Sequence, residues 1–577
     1  MPTVFNKLKN IIRHRRAKGR EIDPDEVMLD SSNLPRYDKH QFEGRLEQAI
    51  SKNMLFSIVG AFLLIALIFI IQAWDLQVVK GGEYRDRSQK NILRSTPIFA
   101  GRGVVTDRNG VLLAWNAPPE QNGTSTAIGS GDEIVARRMY NRLSGLAHIL
   151  GYVKYPSKDN NGFYYRNDFE GIDGVEQYYN SLLQGNNGSR LIEVDAHGKV
   201  ISESTVRPPE QGSPIALSID SRVQAALYDN IKDVATRVGF SGGAGVIMDV
   251  KTGEILALTS YPEYDPQIMS DGTDSSAIKS MLKDPDLPFL DRAIDGLYTP
   301  GSIVKPYVAL GALNEGTIDP DTVIVTTGSV TVQNPYDPTK STIFRDWKDL
   351  GALDMRHAIA MSSDAYFYTV GGGYKDQKGL GIANIDKYLS LFGFGESIPD
   401  SFVSGKAGLI STPAWKKKTF NEAWFLGDTY HTAIGQYGTQ VTPVQVARAV
   451  SAIANEGDLL IPTIVKGGGP VVERKIGLPQ SDFNVIHEGM RLGTQIGTSV
   501  ALNVPYVKIA GKSGTAELGA TRANVNSWIT GFWPYENPHY AFAVMLEKGS
   551  THNLIGAAAT MRQVLDQMER ETPEYFK

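Results

Sequence analysis

The chain of 577 residues contains no cysteine. Disulfide bonds, thiolate metal sites, iron–sulfur clusters and cysteine nucleophiles are therefore excluded. The chain also lacks an excess of positive charge, because 58 Lys and Arg stand against 63 Asp and Glu, a net charge of −5. This balance argues against a nucleic-acid binder. With 42% apolar and 21% charged residues, the composition excludes a mainly disordered chain and fits two to four domains.

One long apolar run interrupts this ordinary composition. Residues 54–71 read MLFSIVGAFLLIALIFII, and the run continues without a charged side chain to Trp74. A membrane-spanning helix needs about 20 such residues, so the sequence predicts one transmembrane helix over residues 54–74. The alternative is a signal peptide. We disfavour it because 53 residues precede the run and no cleavage pattern of small residues follows.

Charged groups before the run predict its orientation. The first 20 residues carry no acidic side chain and seven basic ones, namely Lys7, Lys9, Arg13, Arg15, Arg16, Lys18 and Arg20. Basic flanks stay in the cytoplasm, so we expect a single-pass protein of the cell membrane with its large C-terminal part outside. Residues 1–53 are then expected to form a mostly flexible cytoplasmic tail, whose basic block either lacks a partner or contacts anionic lipid.

After the membrane segment, the pattern of predicted helices and strands changes near Pro214. Residues 75–214 have short strand-like runs, with a hairpin predicted around Asn109-Gly110 and one helix predicted over residues 132–150. Beyond Pro214 the pattern predicts a strand at 215–219, a helix at 221–238 and a hairpin of strands 245–250 and 254–260. Helices and strands mix without regular βαβ alternation, which predicts an α+β fold.

A serine followed three residues later by a lysine places hydroxyl and amine on one face of a helix. This spacing occurs at Ser276/Lys279, Ser280/Lys283 and Ser302/Lys305, and about two matches are expected by chance. The first two pairs lie in a polar stretch and are interpreted as surface residues. Ser302 follows a Pro-Gly turn that opens onto an apolar helix, where free N–H groups favour developing negative charge.

Two later segments offer the other groups that a serine acyl enzyme needs. Ser362-Ser363-Asp364 supplies a hydroxyl and a carboxylate in an apolar setting, although alone it would be interpreted as an ordinary helix cap. Lys512-Ser513-Gly514-Thr515 supplies a cation, two hydroxyls and a glycine that allows close approach of a substrate. A similar Lys251-Thr252-Gly253 is explained as a hairpin turn.

The order and spacing of these three segments resemble the penicillin-recognising serine transpeptidases. Residues 102–110 and 171–178 also resemble the pedestal motifs of the class B penicillin-binding proteins, and residues 249–266 resemble the opening strands of their transpeptidase domain. The resemblance implies a β-rich pedestal (dimerisation-type) domain over 75–214 and a transpeptidase domain, an antiparallel sheet flanked by helices, over 215–577. The PGSIVKPY context and Asp364 are similar to elongation-type members, with division-type members as the alternative.

By this resemblance, Ser302 attacks the penultimate D-Ala carbonyl of a peptidoglycan stem peptide and forms an acyl-enzyme. Lys305 is the implied base, and an amine serves only if burial and a second cation lower its pKa; Lys512 could supply that cation. Ser362 would relay the proton, and Asp364 would orient the relay or touch the acceptor. Lys512, Ser513, Gly514 and Thr515 would bind substrate, with the N–H groups of Ser302 and Thr515 as the oxyanion hole.

The resemblance implies neither a cofactor nor a metal, because the Cys-containing zinc set of some relatives cannot exist here. It implies β-lactams as ligands and, as partners, the membrane, a glycan polymerase of the SEDS family and other elongation proteins. Three alternatives stay open. The acceptor could be water, as in a D,D-carboxypeptidase or β-lactamase; the chain could be a membrane-anchored β-lactam sensor; or it could be a structural subunit with a decayed site. One span and no HExxH motif disfavour the sensor.

Overall fold

The computed structural model describes residues 51–84, 93–117, 135–159, 164–194, 200–334 and 337–577. Nearly all of the predicted tail, including its basic block, lies outside the described residues. The apolar run forms one helix, α1 (Lys52–Trp74), which continues as a π-helical turn over Asp75–Val79. Ser51 caps this helix by accepting a hydrogen bond from the Met54 N–H. No side chain of α1 is buried, and its length and composition suit a membrane span.

The described residues between 93 and 216 form small sheets joined by short helices, as expected for a β-rich module. One sheet has the order β11-β2-β3-β4, another has the order β1-β9-β10, and β5-β8 and β6-β7 are pairs. The elements are β1 (Leu93–Ile98), β2 (Val105–Thr106), β3 (Leu112–Ala117), β4 (Arg137–Tyr140), α2 (Ala147–Leu150), β5 (Val153–Lys154), β6 (Ser157–Lys158), β7 (Tyr164–Arg166), β8 (Glu170–Gly171), α3 (Gly174–Tyr178), α4 (Asn180–Leu183), β9 (Gly188–Val194), β10 (Val200–Arg207) and β11 (Ile215–Ala216).

The predicted hairpin around Asn109-Gly110 is present, because β2 and β3 pair antiparallel on either side of it. The predicted helix over 132–150 is wrong. Of the described residues in that range, Arg137–Tyr140 form β4 against β3, and only Ala147–Leu150 are helical. In β4 alternate side chains are buried, so strand pairing and burial of Arg138 outweighed the helical spacing of the apolar residues.

The two sequence segments that resemble pedestal motifs meet at a buried charge cluster. Arg102, from the first segment, donates from Nε and Nη2 to the carboxylate and the backbone carbonyl of Glu176, from the second. Arg138 Nε donates to the other carboxylate oxygen at 2.7 Å. All three side chains are almost fully buried. A buried carboxylate between two guanidinium groups therefore ties β4 and α3 to the segment that leads into β2.

From residue 221 onwards, one five-stranded antiparallel sheet dominates, with the order β13-β12-β22-β21-β20. The predicted helix 221–238 and the hairpin that begins near 245 are both present. The elements are α5 (Ser221–Val238), β12 (Gly242–Asp249), β13 (Ile255–Tyr261), α6 (Pro266–Asp271), α7 (Ser275–Lys283), α8 (Lys305–Asn314), β14 (Ile324–Thr326), β15 (Ser329–Asn334), β16 (Asp337–Arg345), β17 (Gly351–Leu353), α9 (Met355–Met361), α10 (Asp364–Gly372), α11 (Ile382–Leu391), α12 (Pro413–Phe420), α13 (Leu426–Ala433), α14 (Pro443–Ala454), β18 (Asp458–Leu460), β19 (Val472–Lys475), α15 (Gln480–Gln495), β20 (Ala510–Leu518), β21 (Asn524–Trp533), β22 (Tyr540–Ser550) and α16 (Ala557–Glu571).

Both faces of this sheet are covered by helices, because alternate residues of each strand point to opposite faces. On one face, Ile247 and Phe542 pack in a core with α5 and α16. On the other face, Val246 and Ala543 join a second core with α8, α14 and α15. The predicted α+β fold is confirmed. Of the predicted strand 215–219, only Ile215–Ala216 is a strand; it pairs with β2, and the domain boundary at 214/215 stays a prediction.

Candidate active site

Ser302 lies in a tight turn that leads into the buried helix α8. A 3₁₀ turn over Gly301–Val304 precedes α8, and residues 305–312 of α8 are all buried. Gly301 has a φ of +58°, and its N–H donates to the carbonyl of Gly435 at 2.9 Å. A side chain at Gly301 would come within 2.6 Å of the Thr515 carbonyl oxygen. The turn therefore needs a glycine in order to bring Ser302 against β20.

Lys305 is completely buried and points at the second segment. Its Nζ donates to Asp364 Oδ1 at 2.6 Å and to the Ser362 carbonyl at 2.7 Å, with a longer contact of 3.4 Å to Ser362 Oγ. These contacts use the three donors that an ammonium group has. Lys305 and Asp364 therefore form an ion pair that holds α8 against the start of α10.

The Ser362-Ser363-Asp364 segment is a sharp connection between α9 and α10. Ser362 has a φ of +57°, a left-handed conformation that is costly for a residue with a Cβ atom and is typical of functional sites. Ser363 caps α10 and donates to Asp346 Oδ2 at 2.7 Å. The same Asp346 oxygen accepts from the Ala365 N–H at 2.9 Å. Sequence reasoning missed Asp346, because an aspartate after a strand carries no signal of this distant contact.

Lys512 approaches Ser362 from the other side. It lies on β20, an edge strand of the five-stranded sheet, and is buried. Its Nζ donates to Ser362 Oγ and to the Ser513 carbonyl, both at 2.8 Å. Burial, and secondarily the Lys305 ammonium nearby, hold the pKa of Lys512 well below its ordinary value, while Asp364 opposes this shift.

The outer edge of β20 faces the Ser302 turn. Gln436 Nε2 donates to the Thr515 carbonyl at 3.4 Å from the side opposite β21. Because the N–H and C=O of one strand residue point the same way, the Thr515 N–H also points away from β21 and towards that turn. A side chain at Gly514 would come within 2.8 Å of Ile303 and 2.9 Å of the Pro300 carbonyl, which explains the glycine.

The segments that share a similar pattern but were interpreted as surface residues or as a turn lie outside this site. Ser276, Lys279, Ser280 and Lys283 are exposed on α7, and Lys251-Thr252-Gly253 forms the turn between β12 and β13. By contrast, the loop 435–443, to which the sequence assigned no role, contacts the site directly. A side chain at Gly435 would come within 2.1 Å of the Gly301 carbonyl oxygen. The structure thus brings the three predicted segments together and adds this loop.

Thr498 is a further residue that the sequence did not indicate. It follows α15, and its Oγ1 accepts a hydrogen bond from Ser513 Oγ at 2.6 Å. Both hydroxyls are accessible to solvent beside Lys512. This contact uses the one hydrogen of the Ser513 hydroxyl and holds its oxygen at the mouth of the site, so we predict that Thr498 positions Ser513 beside the carboxylate of a bound substrate.

Replacing Thr498 by valine should slow acylation by a penicillin about five- to tenfold, because one hydrogen bond to the Ser513 hydroxyl is lost. Thr498→Ser keeps the hydroxyl and should retain the rate. The measurement is the second-order acylation rate constant for a penicillin and for its carboxamide analogue. An equal loss with the carboxamide would contradict a role in carboxylate recognition.

Comparisons with known proteins agree with this geometry. Residues 243–566, more than half of the chain, match the penicillin binding protein transpeptidase domain, and residues 133–217 match the penicillin-binding protein dimerisation domain. The chain belongs to the penicillin-binding protein transpeptidase family. It is 30% identical to the peptidoglycan D,D-transpeptidase MrdA of Escherichia coli K12, with 87% of this chain and 92% of the relative covered.

Solved structures extend the comparison. Pseudomonas aeruginosa PBP2 in complex with WCK 5153 is similar with a TM-score of 0.64 at 30% identity, covering 82% of this chain and 96% of that one. PBP2 of Helicobacter pylori, in its complex with MreC, has a TM-score of 0.66 at 26% identity, covering 84% and 100%. A chain of a peptidoglycan synthase complex has a TM-score of 0.67 at 26% identity, covering 89% and 98%.

These findings confirm the family, the fold and the reaction class that the sequence predicted. The apolar helix α1 has the length and composition of the predicted membrane span. Its predicted orientation stays a prediction. The catalytic and substrate-binding roles that the sequence predicted stay predictions; they concern Ser302, Lys305, Ser362, Asp364, Lys512, Ser513, Gly514 and Thr515.

Proposed function

We propose that this chain is an elongation-type peptidoglycan D,D-transpeptidase that cross-links stem peptides through an acyl-enzyme on Ser302. One observation carries the proposal: two buried lysines, Lys305 and Lys512, converge on the Ser362 hydroxyl between the Ser302 turn and the edge of β20. Such a group of amines and hydroxyls beside a nucleophile can carry protons to and from it.

Acylation begins at the Ser302 hydroxyl. Burial and the charge of Lys305 lower the pKa of Lys512, and Ser362 Oγ bridges the two amines at 3.4 and 2.8 Å. Passing a proton from Lys305 through Ser362 to Lys512 frees Lys305 to accept the Ser302 proton, and the negative charge that develops on the attacked carbonyl oxygen offsets the second ammonium group. Asp364, 2.6 Å from Lys305, stabilises the ammonium that results.

The tetrahedral intermediate carries its negative charge towards the N–H groups of Ser302 and Thr515, a pair of donors at the mouth of the site. Ser362 then delivers a proton to the leaving amine of the terminal D-Ala, and the C–N bond breaks. Ser513 and Thr515 hydroxyls, with Lys512, receive the substrate carboxylate. The amine of a second stem peptide attacks the ester, regenerates the Ser302 hydroxyl and leaves an amide cross-link.

The membrane helix and the charges before it support a location for this reaction. The basic residues before α1 support an N-terminus in the cytoplasm and a catalytic part outside the cell membrane, where peptidoglycan lies. A glycan polymerase of the SEDS family and other elongation proteins are the proposed partners. Support comes from the structural neighbours, which include a peptidoglycan synthase complex and a PBP2–MreC complex.

An exchange reaction tests transpeptidation against hydrolysis. The full chain in detergent is incubated with a stem pentapeptide and a fluorescent D-amino acid as acceptor, and products are separated by mass. We expect the labelled D-amino acid to replace the terminal D-Ala, with little tetrapeptide released. Tetrapeptide as the main product, at any acceptor concentration, would make the chain a D,D-carboxypeptidase instead.

A further inference from the structure

A cluster of aromatic side chains flanks the active site on the side of the loop 435–443. It consists of five rings from α12 and from the chain just before and after α13: Trp415, Phe420, Trp424, Phe425 and Tyr437. Trp415 lies 5.4 Å from Phe420 and 5.5 Å from Tyr437 between ring centroids, and Trp424 lies 6.0 Å from Tyr437. We call these five residues the aromatic platform.

The platform is exposed where aromatic residues are normally covered. Phe425 is 59% exposed, Phe420 52% and Tyr437 38%. Single exposed apolar residues are common, but a contiguous group of exposed rings marks a binding surface. These three rings form the accessible face of the platform: Trp415 contacts both Phe420 and Tyr437, and the Lys416 ammonium lies against both Tyr437 and Phe425.

Buried polar contacts hold this face rigid. Lys416, only 3% exposed, forms an ion pair with Asp428 at 2.7 Å. Its ammonium lies 4.8 Å from the centre of the Phe425 ring and 5.8 Å from that of Tyr437. Tyr437 has a φ of +75°, a left-handed backbone that is costly for a residue with a Cβ atom. Such a conformation persists where the surrounding structure holds the residue in place, and it is typical of functional sites.

The platform is within reach of a substrate attached to Ser302. Gly435 accepts the Gly301 N–H at 2.9 Å, so the Cα atoms of Tyr437 and Ser302 lie within about 18 Å of each other by chain geometry. The four residues of a stem peptide up to the reactive carbonyl span about 14 Å when extended, and the sugar lies beyond them. A stem peptide whose reactive carbonyl is at Ser302 can therefore place the sugar that carries it beside the platform.

We propose that the aromatic platform binds the pyranose rings of the glycan strand. The C–H face of a pyranose is apolar and stacks on an aromatic ring, while its hydroxyl groups need polar neighbours; exposed Lys417, Asn421 and Glu422 border the rings. The inference rests on the proposed function, because only a peptidoglycan substrate joins a peptide at Ser302 to such a sugar. It adds a glycan subsite to the peptide subsite.

Binding of a peptide-free glycan tests this directly. The probe is a soluble strand of alternating N-acetylglucosamine and N-acetylmuramic acid, titrated calorimetrically into the full chain in detergent. We expect Phe425→Ala and Phe420→Ala each to weaken binding about three- to tenfold, since each removes one stacking ring. Tyr165→Ala, an equally exposed ring in the β-rich part, is the control and should bind as the unaltered chain does.

Two further measurements distinguish glycan stacking from catalysis and from membrane contact. The same titration with Ser302→Ala should give unchanged glycan affinity. Glycan binding is therefore tested independently of the exchange reaction. Thermal unfolding of each variant shows whether it is folded. Equal affinity of the folded Phe425→Ala and Phe420→Ala variants, or no glycan binding by the unaltered chain, would overturn the inference. Loss of binding to anionic lipid vesicles instead of glycan would assign the platform to the membrane.

Discussion

Replacing Ser302 by alanine is expected to abolish covalent labelling of the chain by a fluorescent penicillin. Ser302 lies in the turn that leads into Lys305, three residues later in the chain, and the neighbouring Gly301 packs against the Thr515 carbonyl at the outer edge of β20. Without this oxygen no acyl bond can form, and loss of a serine nucleophile costs about six orders of magnitude in comparable enzymes. The measurement is the labelled band after denaturing electrophoresis of the full chain.

The chain supplies its own matched controls for this experiment. Ser276 and Ser280 have the same spacing to a lysine, but they lie on α7, of which no side chain is buried. Ser276→Ala and Ser280→Ala should label like the unaltered protein. Labelling that persists in Ser302→Ala and disappears in either of these variants would contradict the site described above.

The sequence indicated the three candidate catalytic segments because each is a short local pattern with its own chemistry. Their order and spacing also led to the family, and the family implied that they converge. What no local pattern contained was the way they converge: Lys512 reaches Ser362 across 150 positions, and Asp346 reaches Ser363 from a separate loop. Thr498 and the loop at Gly435 act through contacts of the same kind. Such contacts depend on packing of distant elements, which spacing along one chain cannot show.

The elements themselves were predictable where the local signal and the tertiary environment agreed. Helix α5 is amphipathic, capped by Asp220 and ended by Gly239 in a left-handed conformation, and its predicted bounds match the structure. Residues 132–150 had apolar spacing suited to a helix, but there Gly145 has a φ of +81° and Arg138 must reach Glu176 from a strand. The buried ion pair and the pairing with β3 decided the outcome.

The proposed passage of a proton from Lys305 to Lys512 makes Lys512 more than a binding group for a carboxylate. Its pKa is held well below the ordinary value of a lysine, first by burial and second by Lys305. Below that lowered pKa Lys512 is an ammonium, and above it a neutral amine that can take up a proton. Below this pKa Lys512 is already an ammonium group and cannot take up the proton passed on through Ser362, so acylation of the unaltered chain should fall as the pH drops through this pKa.

Lys512→Arg is therefore expected to lower the acylation rate constant about 10²- to 10⁴-fold at neutral pH, although the positive charge is kept, because a guanidinium does not give up its proton in proteins. Lys512→Met, of similar length, should lose as much while staying folded, since an apolar side chain suits a buried position. Both variants should also lose the acid limb that the unaltered chain shows as the pH falls through the lowered pKa of Lys512. The matched control is Lys508→Arg at an exposed lysine just before β20, which should leave the rate and its pH profile unchanged. A Lys512→Arg chain that acylates at the unaltered rate would mean that Lys512 serves only as a cation, and the proton path through Ser362 would be wrong.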